Sequence, residues 1–173
     1  MSNARTKLFQ MIEDMKTAMF TTRRGDGRLV SRPMANQERS PGADLWFVTY
    51  AGSPKLRELE RDPQVNLTYY KDRTREWVSI SGRARISRNR AKIRELFKPD
   101  WRAWFGDDGG PKAGTPDDPR IVLIGVNIRS VVFMEQDKPA PVAVFELVKG
   151  IVTRKPPNMG KTHKLTSRPR KKS

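Results

Sequence analysis

The sequence predicts a mainly β protein, an antiparallel barrel with short helices at its corners. Most of its assignable segments alternate apolar and polar residues, as half-buried strands do. Hairpin-type turn signals separate neighbouring segments, such as Asp-Gly at 26–27 and Pro-Gly at 41–42. The chain also lacks the helical crossovers that a parallel sheet needs between nearly every pair of strands.

The predicted elements follow one another through short connections. In chain order they are a helix over 5–16, strands over 17–23, 28–36 and 44–50, a helix over 54–61, strands over 64–70 and 76–87, a helix over 89–98, and strands over 121–128 and 130–136. The first helix is indicated by apolar residues at helical spacing, from Leu8 to Met15. The first two strands flank "RGDG", a tight hairpin turn, and Pro33 indicates an edge or bulge position in the second.

The later elements depend on equally local signals. The apolar run "DLWFVTY" predicts a buried strand, and Asp62-Pro63 ends the helix that follows it. The segments "QVNLTYY" and "EWVSISGRARIS" alternate as half-buried strands do, and Ile93, Leu96 and Phe97 share one face of the third helix.

The C-terminal third is less regular. Residues 107–119 form a polar Gly/Pro loop, and its acids are interpreted as solvated rather than as a divalent-ion site: Asp107, Asp108, Asp117 and Asp118. Residues 142–153 are predicted to form a strand or a helix, and little regular structure is expected from Pro156 onward. The chain therefore divides into a domain over 1–153 and a basic, flexible tail over 154–173.

The charge balance and the residue composition limit the functions that this chain can have. The chain has 35 Lys+Arg against 19 Asp+Glu, and six of the cations lie in the last 13 residues, which contain no acid. This tail is expected to bind polyanions weakly; a basic surface without a specific partner is the alternative. The absence of cysteine excludes disulfides, thiol catalysis and thiolate metal sites. No apolar run approaches the roughly 18 residues of a membrane helix, and the N-terminus has no signal-peptide core, so a cytoplasmic location is expected.

One helix start is unusual. Ser53 and Pro54 suit the N-cap and first positions of a helix, but Lys55 and Arg57 place cations where the helix dipole is already positive. We therefore predict a bound anion that both cations face. The alternative is an ordinary helix start with an exposed lysine.

Four stretches occur in an order and spacing that are similar to those of a known family. They are "SRPM" (31–34), "WFVTYAGSPK" (46–55), "DPQVNLTYY" (62–70) and "WVSISGRARI" (77–86). With them the chain resembles the pyridoxamine-phosphate-oxidase-like flavoproteins, and most closely their general stress protein 26-like branch. The resemblance implies an antiparallel split β-barrel of the FMN-binding type, with short flanking helices.

The resemblance also implies a phosphate site for flavin mononucleotide (FMN). Thr49, Ser53 and Lys55 match the Thr, Ser and Lys with which the family holds the FMN phosphate. Arg32 is implied to lie near that phosphate. The family binds FMN in a cleft between the two subunits of a homodimer, so a homodimer is expected here.

The remaining implied contacts concern the flavin ring. Pro33 and Met34 are implied to lie along the flavin, and Phe47 and Val48 to contribute backbone contacts. Trp104 resembles the aromatic residue that the partner subunit brings toward the ring. FAD, a deazaflavin or a haem-related group are alternative occupants of the same cleft.

The function that these expectations favour is an FMN-dependent oxidoreductase acting on an unknown small substrate. No Ser-His-Asp or paired-acid constellation is visible, and the one histidine, His163, lies in the basic tail, so the cofactor would supply the chemistry. A pyridoxamine-phosphate oxidase proper is disfavoured, because its substrate-binding Arg and His set cannot be placed. The alternatives are a non-catalytic flavin-storing or flavin-sensing protein and a basic nucleic-acid-associated protein.

Overall fold

One antiparallel sheet organises the structure, a computed structural model that describes residues 3–105, 110–136, 149 and 160–166. The strands in these ranges are β1 (Thr17–Arg23), β2 (Leu29–Ala35), β3 (Leu45–Tyr50), β4 (Gln64–Lys71), β5 (Glu76–Ser87), β6 (Ile121–Glu135) and β7 (Lys161–Thr166). The helices are α1 (Asn3–Met15), α2 (Pro54–Arg61), α3 (Arg90–Leu96) and α4 (Arg102–Phe105), the last preceded by a 3₁₀ turn, Pro99–Trp101. These elements confirm the predicted antiparallel, mainly β class.

The sheet is closed into a split barrel by contact between its two end strands. Its order is β2-β1-β4-β5-β6-β3, with β7 added beside β6. β2 and β3 approach each other, and the Gln37 N–H donates to the Trp46 carbonyl across 2.8 Å just beyond the end of β2. Since β2 pairs, among the described strands, with β1 alone, Pro33 lies in an edge strand, where a missing N–H is tolerated, as the sequence predicts.

A single strand replaces the two that the sequence predicts at 121–128 and 130–136. β6 runs without a break through Ile121–Glu135, and its pairing register with β5 shifts by one residue at Arg129, between the pairs Gly82–Ile128 and Ser81–Ser130. This is a β-bulge, which bends a strand without ending it. On the opposite strand Gly82 permits the close approach, because a Cβ there would lie 2.7 Å from Val126 Cγ1.

The expectation of little regular structure after Pro156 is wrong for one segment. Residues Lys161–Thr166 form β7, which pairs antiparallel with the last six residues of β6. The His163 ring stacks on the buried Phe133 ring at a centroid separation of 4.8 Å, and Leu165 packs against the core. Sequence reasoning missed this strand because its lysines mask the alternation of apolar and polar residues. Polyanion binding by the basic tail stays a prediction. Residues 142–153, predicted as strand or helix, lie outside the described residues except for Lys149, which is assigned to a helix.

Two clusters of buried apolar side chains form the core and hold the helices against the sheet. The larger fills the barrel and includes Phe20, Phe47 and Phe133. The smaller lies on the outer side of β3 and β6, where Trp46 packs with Ile93 and Trp101. This second cluster holds α3 and the 3₁₀ turn against the barrel, which brings α4 close to the gap between β2 and β3. No helix among the described residues is long and apolar enough to cross a membrane.

We expect the C-terminal segment to contribute to stability only as far as β7. A chain ending at Gly160 loses the cross-strand pairs of β7 and the packing of Leu165, and its free energy of unfolding should fall by at least about 2 kcal/mol. A chain ending at Ser167 keeps β7 and removes four cations, so it should unfold like the parent. Denaturant unfolding of the three chains measures this; equal midpoints for both truncations would contradict the role given to β7.

Candidate functional site

A cavity of about 280 Å³ opens between β2 and β3, where the barrel is split. Its lining comes from three parts of the chain: Pro33, Met34, Ala35 and Gln37; Val48, Thr49, Tyr50 and Lys55; and Asp100, Trp101, Trp104 and Phe105. Six residues predicted from the sequence are among them: Pro33, Met34, Val48, Thr49, Lys55 and Trp104. Arg32, Phe47 and Ser53 are not, and each has a different position.

A cluster of hydrogen-bonding side chains lies where β3 leads into α2. Lys55 Nζ donates to Thr49 Oγ1 at 2.9 Å and to Ser53 Oγ at 2.8 Å. Ser53 occupies the N-cap position with extended backbone, yet its side chain makes no cap hydrogen bond to the helix. The prediction that Ser53 caps α2 is therefore correct for its position and wrong for its side chain. Each hydroxyl keeps its own proton to donate, so this cluster can present two O–H groups and an ammonium to an anion.

The charge of Lys55 is held at an energetic cost. Burial lowers the pKa of the Lys55 ammonium below its usual range, and the nearby Arg32 guanidinium lowers it further, while Glu58 partly opposes the shift. A cation with a lowered pKa destabilises the folded chain at neutral pH, because the charged form is favoured more strongly in the unfolded state. A bound anion would relieve this cost, which favours an anion over the alternative of an ordinary exposed lysine.

Arg32 is fixed by an ion pair. Its two terminal nitrogens each donate to one carboxylate oxygen of Glu58 at 2.8 Å, and Nη1 also donates to Thr22 Oγ1 at 2.9 Å. The hydrogen bond from Arg32 is the main reason that the pKa of Glu58 is lowered. Arg32 therefore affects the Lys55 cluster electrostatically, while its hydrogen bonds go to Glu58 and Thr22. A direct contact between Arg32 and the phosphate stays a prediction.

The two cations at the start of α2 do not face one anion. Lys55 lines the cavity between β2 and β3, whereas Arg57 lines a second cavity. Residues two apart on a helix point about 200° apart, since each residue turns the helix by about 100°. The prediction that both cations face the same anion is wrong for this reason.

Phe47 and Val48 have opposite orientations in β3. The Phe47 side chain lies in the barrel core, edge-to-face with Phe20 at 5.2 Å. Because Trp46 directs its carbonyl across the gap to Gln37, the alternation of an antiparallel strand directs the backbone of Val48 into the gap and that of Phe47 toward β6. The geometry therefore favours a backbone contact from Val48, while the contact from Phe47 stays a prediction.

An aromatic wall forms the side of the cavity near α4. Trp104 is 84% exposed, the largest exposed fraction among the exposed large hydrophobic residues, and lies at the cavity beside Phe105. Trp101, by contrast, is buried and donates from Nε1 to Gln37 Oε1 at 3.1 Å. This hydrogen bond fixes the Gln37 amide at the cavity.

Buried Asp118 anchors the loop behind this wall. Its carboxylate accepts hydrogen bonds from Arg120 and from the Gly114 N–H, and the Arg120 pairing is the main reason that the pKa of Asp118 is lowered to about 2. Arg120 also donates to the Phe105 carbonyl at 2.9 Å, which ties the loop to α4. The interpretation of Asp118 as a solvated loop residue is therefore wrong. Asp107 and Asp108 lie outside the described residues.

Sequence reasoning missed several lining residues. Tyr50 could have been found, because it follows Val48 by two positions and so lies on the same side of β3. Gln37 and Asp100 carry no such signal: Gln37 follows the end of β2, and Asp100 lies in a 3₁₀ turn whose position depends on the packing of Trp101.

Comparison with known proteins agrees with this geometry. A family model described as "Pyridoxamine 5'-phosphate oxidase like" matches residues 3–158. Protein bli-3 of Neurospora crassa is 34% identical over 154 residues, which cover 87% of this chain and 74% of that protein. The crystal structure of a candidate general stress protein 26 from Jannaschia sp. CCS1 has a TM-score of 0.71 and 24% identity, covering 96% of this chain and 100% of that one.

A second solved structure is similar over almost the whole length of both chains. It is a pyridoxamine 5'-phosphate oxidase-related, FMN binding protein from Nostoc punctiforme, with a TM-score of 0.62, 14% identity, and coverage of 98% of this chain and 99% of that one. Both structures share the split-barrel fold, which confirms the predicted fold class.

We expect opposite stability effects from two neighbouring charges. Lys55→Met removes a cation that is costly to hold, so the free energy of unfolding without ligand should stay equal or rise by up to about 1 kcal/mol at pH 7. Glu58→Gln breaks the pair with Arg32 and should lower the free energy of unfolding by about 2–3 kcal/mol. This is less than the loss expected for a fully buried pair, because Arg32 is partly exposed.

Denaturant unfolding at several pH values measures both effects. Because the pKa of Glu58 is lowered on folding, its contribution is complete above the unfolded pKa near 4.3 and disappears as pH falls through the lower folded value. The difference between the parent and Glu58→Gln should therefore shrink in acid. A clear loss of stability in Lys55→Met would show that Lys55 is a structural residue.

Proposed function

This chain belongs to the pyridoxamine 5'-phosphate oxidase-like family, and we propose that it binds FMN in the cavity between β2 and β3 and acts as an FMN-dependent oxidoreductase on a small substrate. One observation carries the proposal. Lys55, Thr49 and Ser53 form a cationic, hydrogen-bonding cluster beside a cavity that is otherwise lined mainly by apolar and aromatic side chains.

The residues present fit the chemistry of this cofactor. A phosphate dianion suits an ammonium with two hydroxyl donors, and it would offset the repulsion between Lys55 and Arg32. The flavin ring is flat and largely apolar, and Pro33, Met34 and Trp104 provide apolar surface in the same cavity. The polar edge of the ring needs hydrogen bonds, which the Gln37 amide and the backbone of Val48 would supply.

The residues of the chain would bind and orient while the cofactor performs the chemistry. A bound flavin supplies hydride or electron transfer at its ring, for which no protein nucleophile is required. Lys55, Thr49 and Ser53 fix one end of the ligand, and the aromatic wall of Trp104 and Phe105 limits access of water. Lys55, Tyr50 and Asp100 are the ionisable side chains among the described lining residues, and the last two are exposed to solvent.

A second copy of the chain would complete the site. The cavity of about 280 Å³ is at the lower limit for ligand sites. Trp104 and Tyr50 expose 84% and 50% of their surface at its mouth, although large apolar side chains are usually covered. We propose that a twofold homodimer covers them, because a twofold interface places the same surface on both partners.

We expect the purified protein to bind FMN with an affinity that depends on Lys55. Lys55→Met should weaken FMN binding by about 10- to 150-fold, the effect of losing one charge-assisted contact of about 1.5–3 kcal/mol. Riboflavin has no phosphate, so its affinity should change little. Lys112→Met, at an exposed lysine outside the cavity, is the matched control.

Visible absorbance during flavin titration measures these affinities. A parent protein with no FMN affinity, or a Lys55→Met variant that still prefers FMN over riboflavin as the parent does, would refute the proposal. Bleaching of the bound flavin by a nicotinamide donor supports the oxidoreductase. Flavin that stays bound and oxidised with every donor would favour the non-catalytic flavin-binding protein.

We expect a dimer that depends on Trp104. Light scattering at micromolar concentration should give the mass of two chains. Trp104→Ala should weaken both dimerisation and FMN affinity by about tenfold or more, because exposed aromatic anchors dominate interfaces. Its unfolding without ligand should change only by the stability that dimerisation contributes, a difference that disappears on dilution, since Trp104 makes little contact within its own chain. A stable monomer that still binds FMN would contradict the shared site.

A further inference from the structure

A second cavity, of about 510 Å³, lies between α2 and the β1–β2 hairpin. Four arginines and one glutamate are among its lining residues: Arg24, Arg32, Arg57, Arg61 and Glu58. The formal charge of these five side chains is +3. Lys55 does not line this cavity but Arg32, which lies close to Lys55, does, so the second cavity adjoins the proposed FMN site.

The charges in this cavity are only partly compensated. Glu58 is engaged by Arg32, and Arg24 lies 3.4 Å from Asp26 in the adjoining turn. Arg57 and Arg61 make no side-chain hydrogen bond or ion pair within the described part of the chain. They are four residues apart on α2, where like charges are neighbours and slightly destabilise a helix. The described residues thus place two adjacent guanidinium groups on α2 without a paired acid.

The Arg61 guanidinium lies directly over the β1–β2 turn. A Cβ at Gly25 would lie 2.2 Å from Arg61 Nη1, so a larger residue there would displace the end of this side chain. Gly25 therefore leaves open the space that the guanidinium occupies beside the cavity. Arg57, one helical turn earlier, lines the same space from the side of Pro54.

We propose that this arginine pocket, formed by Arg24, Arg57 and Arg61, is a second anion site that binds the phosphate group of a small organic phosphate. The guanidinium fork matches phosphate oxygens in bidentate geometry, and several guanidinium groups around one space favour a multivalent anion. The volume lies within the range of small-molecule sites. The proposal does not require that the chain bind FMN.

Two sources of this phosphate are chemically equivalent at the pocket. One is a separate phosphorylated substrate or effector. The other is the second phosphate of a dinucleotide flavin whose first phosphate is held by Lys55, since Lys55 and Arg32 are close enough to repel each other. FAD and pyrophosphate distinguish these sources as probes.

Calorimetric titration of the full-length protein with pyrophosphate tests the site. Four proteins are compared: the parent, the double variant Arg57→Gln/Arg61→Gln, Lys55→Met, and Arg73→Gln. Arg73 is an exposed matched control beyond the far end of β4, because β1 and β4 run antiparallel and the pocket lies at the end of β1. The double variant should lose at least about tenfold in affinity, as charge-assisted contacts predict, while Arg73→Gln and Lys55→Met retain binding.

The outcomes separate the two sites. Equal affinity in the parent and the double variant would overturn the proposal, as would an absence of measurable binding to the parent. Loss of pyrophosphate binding in Lys55→Met alone would overturn it too, because the Lys55 cluster would then be the anion site. If the double variant weakens FAD but not FMN binding, the dinucleotide is the source; if it weakens pyrophosphate but neither flavin, the source is a separate phosphate. Melting temperatures of the variants, expected to equal or slightly exceed that of the parent, exclude unfolding as the cause.

Discussion

The bidentate pair between Arg32 and Glu58 is the interaction on which the arrangement of both cavities depends. It joins β2 to α2, and Thr22 adds β1 by donating to the same carboxylate at 2.6 Å. α2 is short, with only Leu56 and Leu59 buried, so apolar packing alone would not fix its rotation closely. The ion pair does, and it thereby sets where each side chain of the first helical turn points.

The same ion pair also lies between two groups of positively charged side chains. Glu58 compensates one arginine, and the remaining cations lie on both sides of it: Lys55 toward the gap between β2 and β3, Arg57 and Arg61 toward the hairpin. Two positive regions that would repel each other are held apart by a neutral, hydrogen-bonded centre. Such a centre is stable because its partners are satisfied, and removing either would leave a partly buried charge without its partner.

The sequence was sufficient for the elements that depend on local signals. The hairpin at "RGDG", the helix between Pro54 and Asp62, and the two alternating strands β4 and β5 all carry their own turn, cap or periodicity. β6 was divided wrongly, because a bulge at Arg129 interrupts periodicity in the same way that a turn does. β7 was missed because its pairing with β6 joins residues about thirty positions apart, and its own composition resembles that of a solvated segment.

The candidate site likewise combines residues that a local motif predicts with residues whose position depends on distant contacts. Thr49, Ser53 and Lys55 lie within seven residues, so a motif could bring them together, and hydrogen bonds do so. Arg32 was placed near them, but its partner Glu58 could not be foreseen, since it is 26 residues away. Gln37 and Asp100 depend on Trp101, whose position follows from the packing of the second apolar cluster.

A ligand that fills the split between β2 and β3 would tie the lifetime of this protein to the supply of that ligand. A closed barrel has no free edge, whereas here one side of β3 faces a cavity, and β2 beside it pairs, among the described strands, on one side only. A ligand in that gap stabilises the folded chain by mass action, by about 2.7 kcal/mol when it is present at 100 times its dissociation constant. Differences of that size change steady-state abundance several-fold through proteolysis of the unfolded fraction. Cellular protein level would then report ligand concentration without any dedicated sensor.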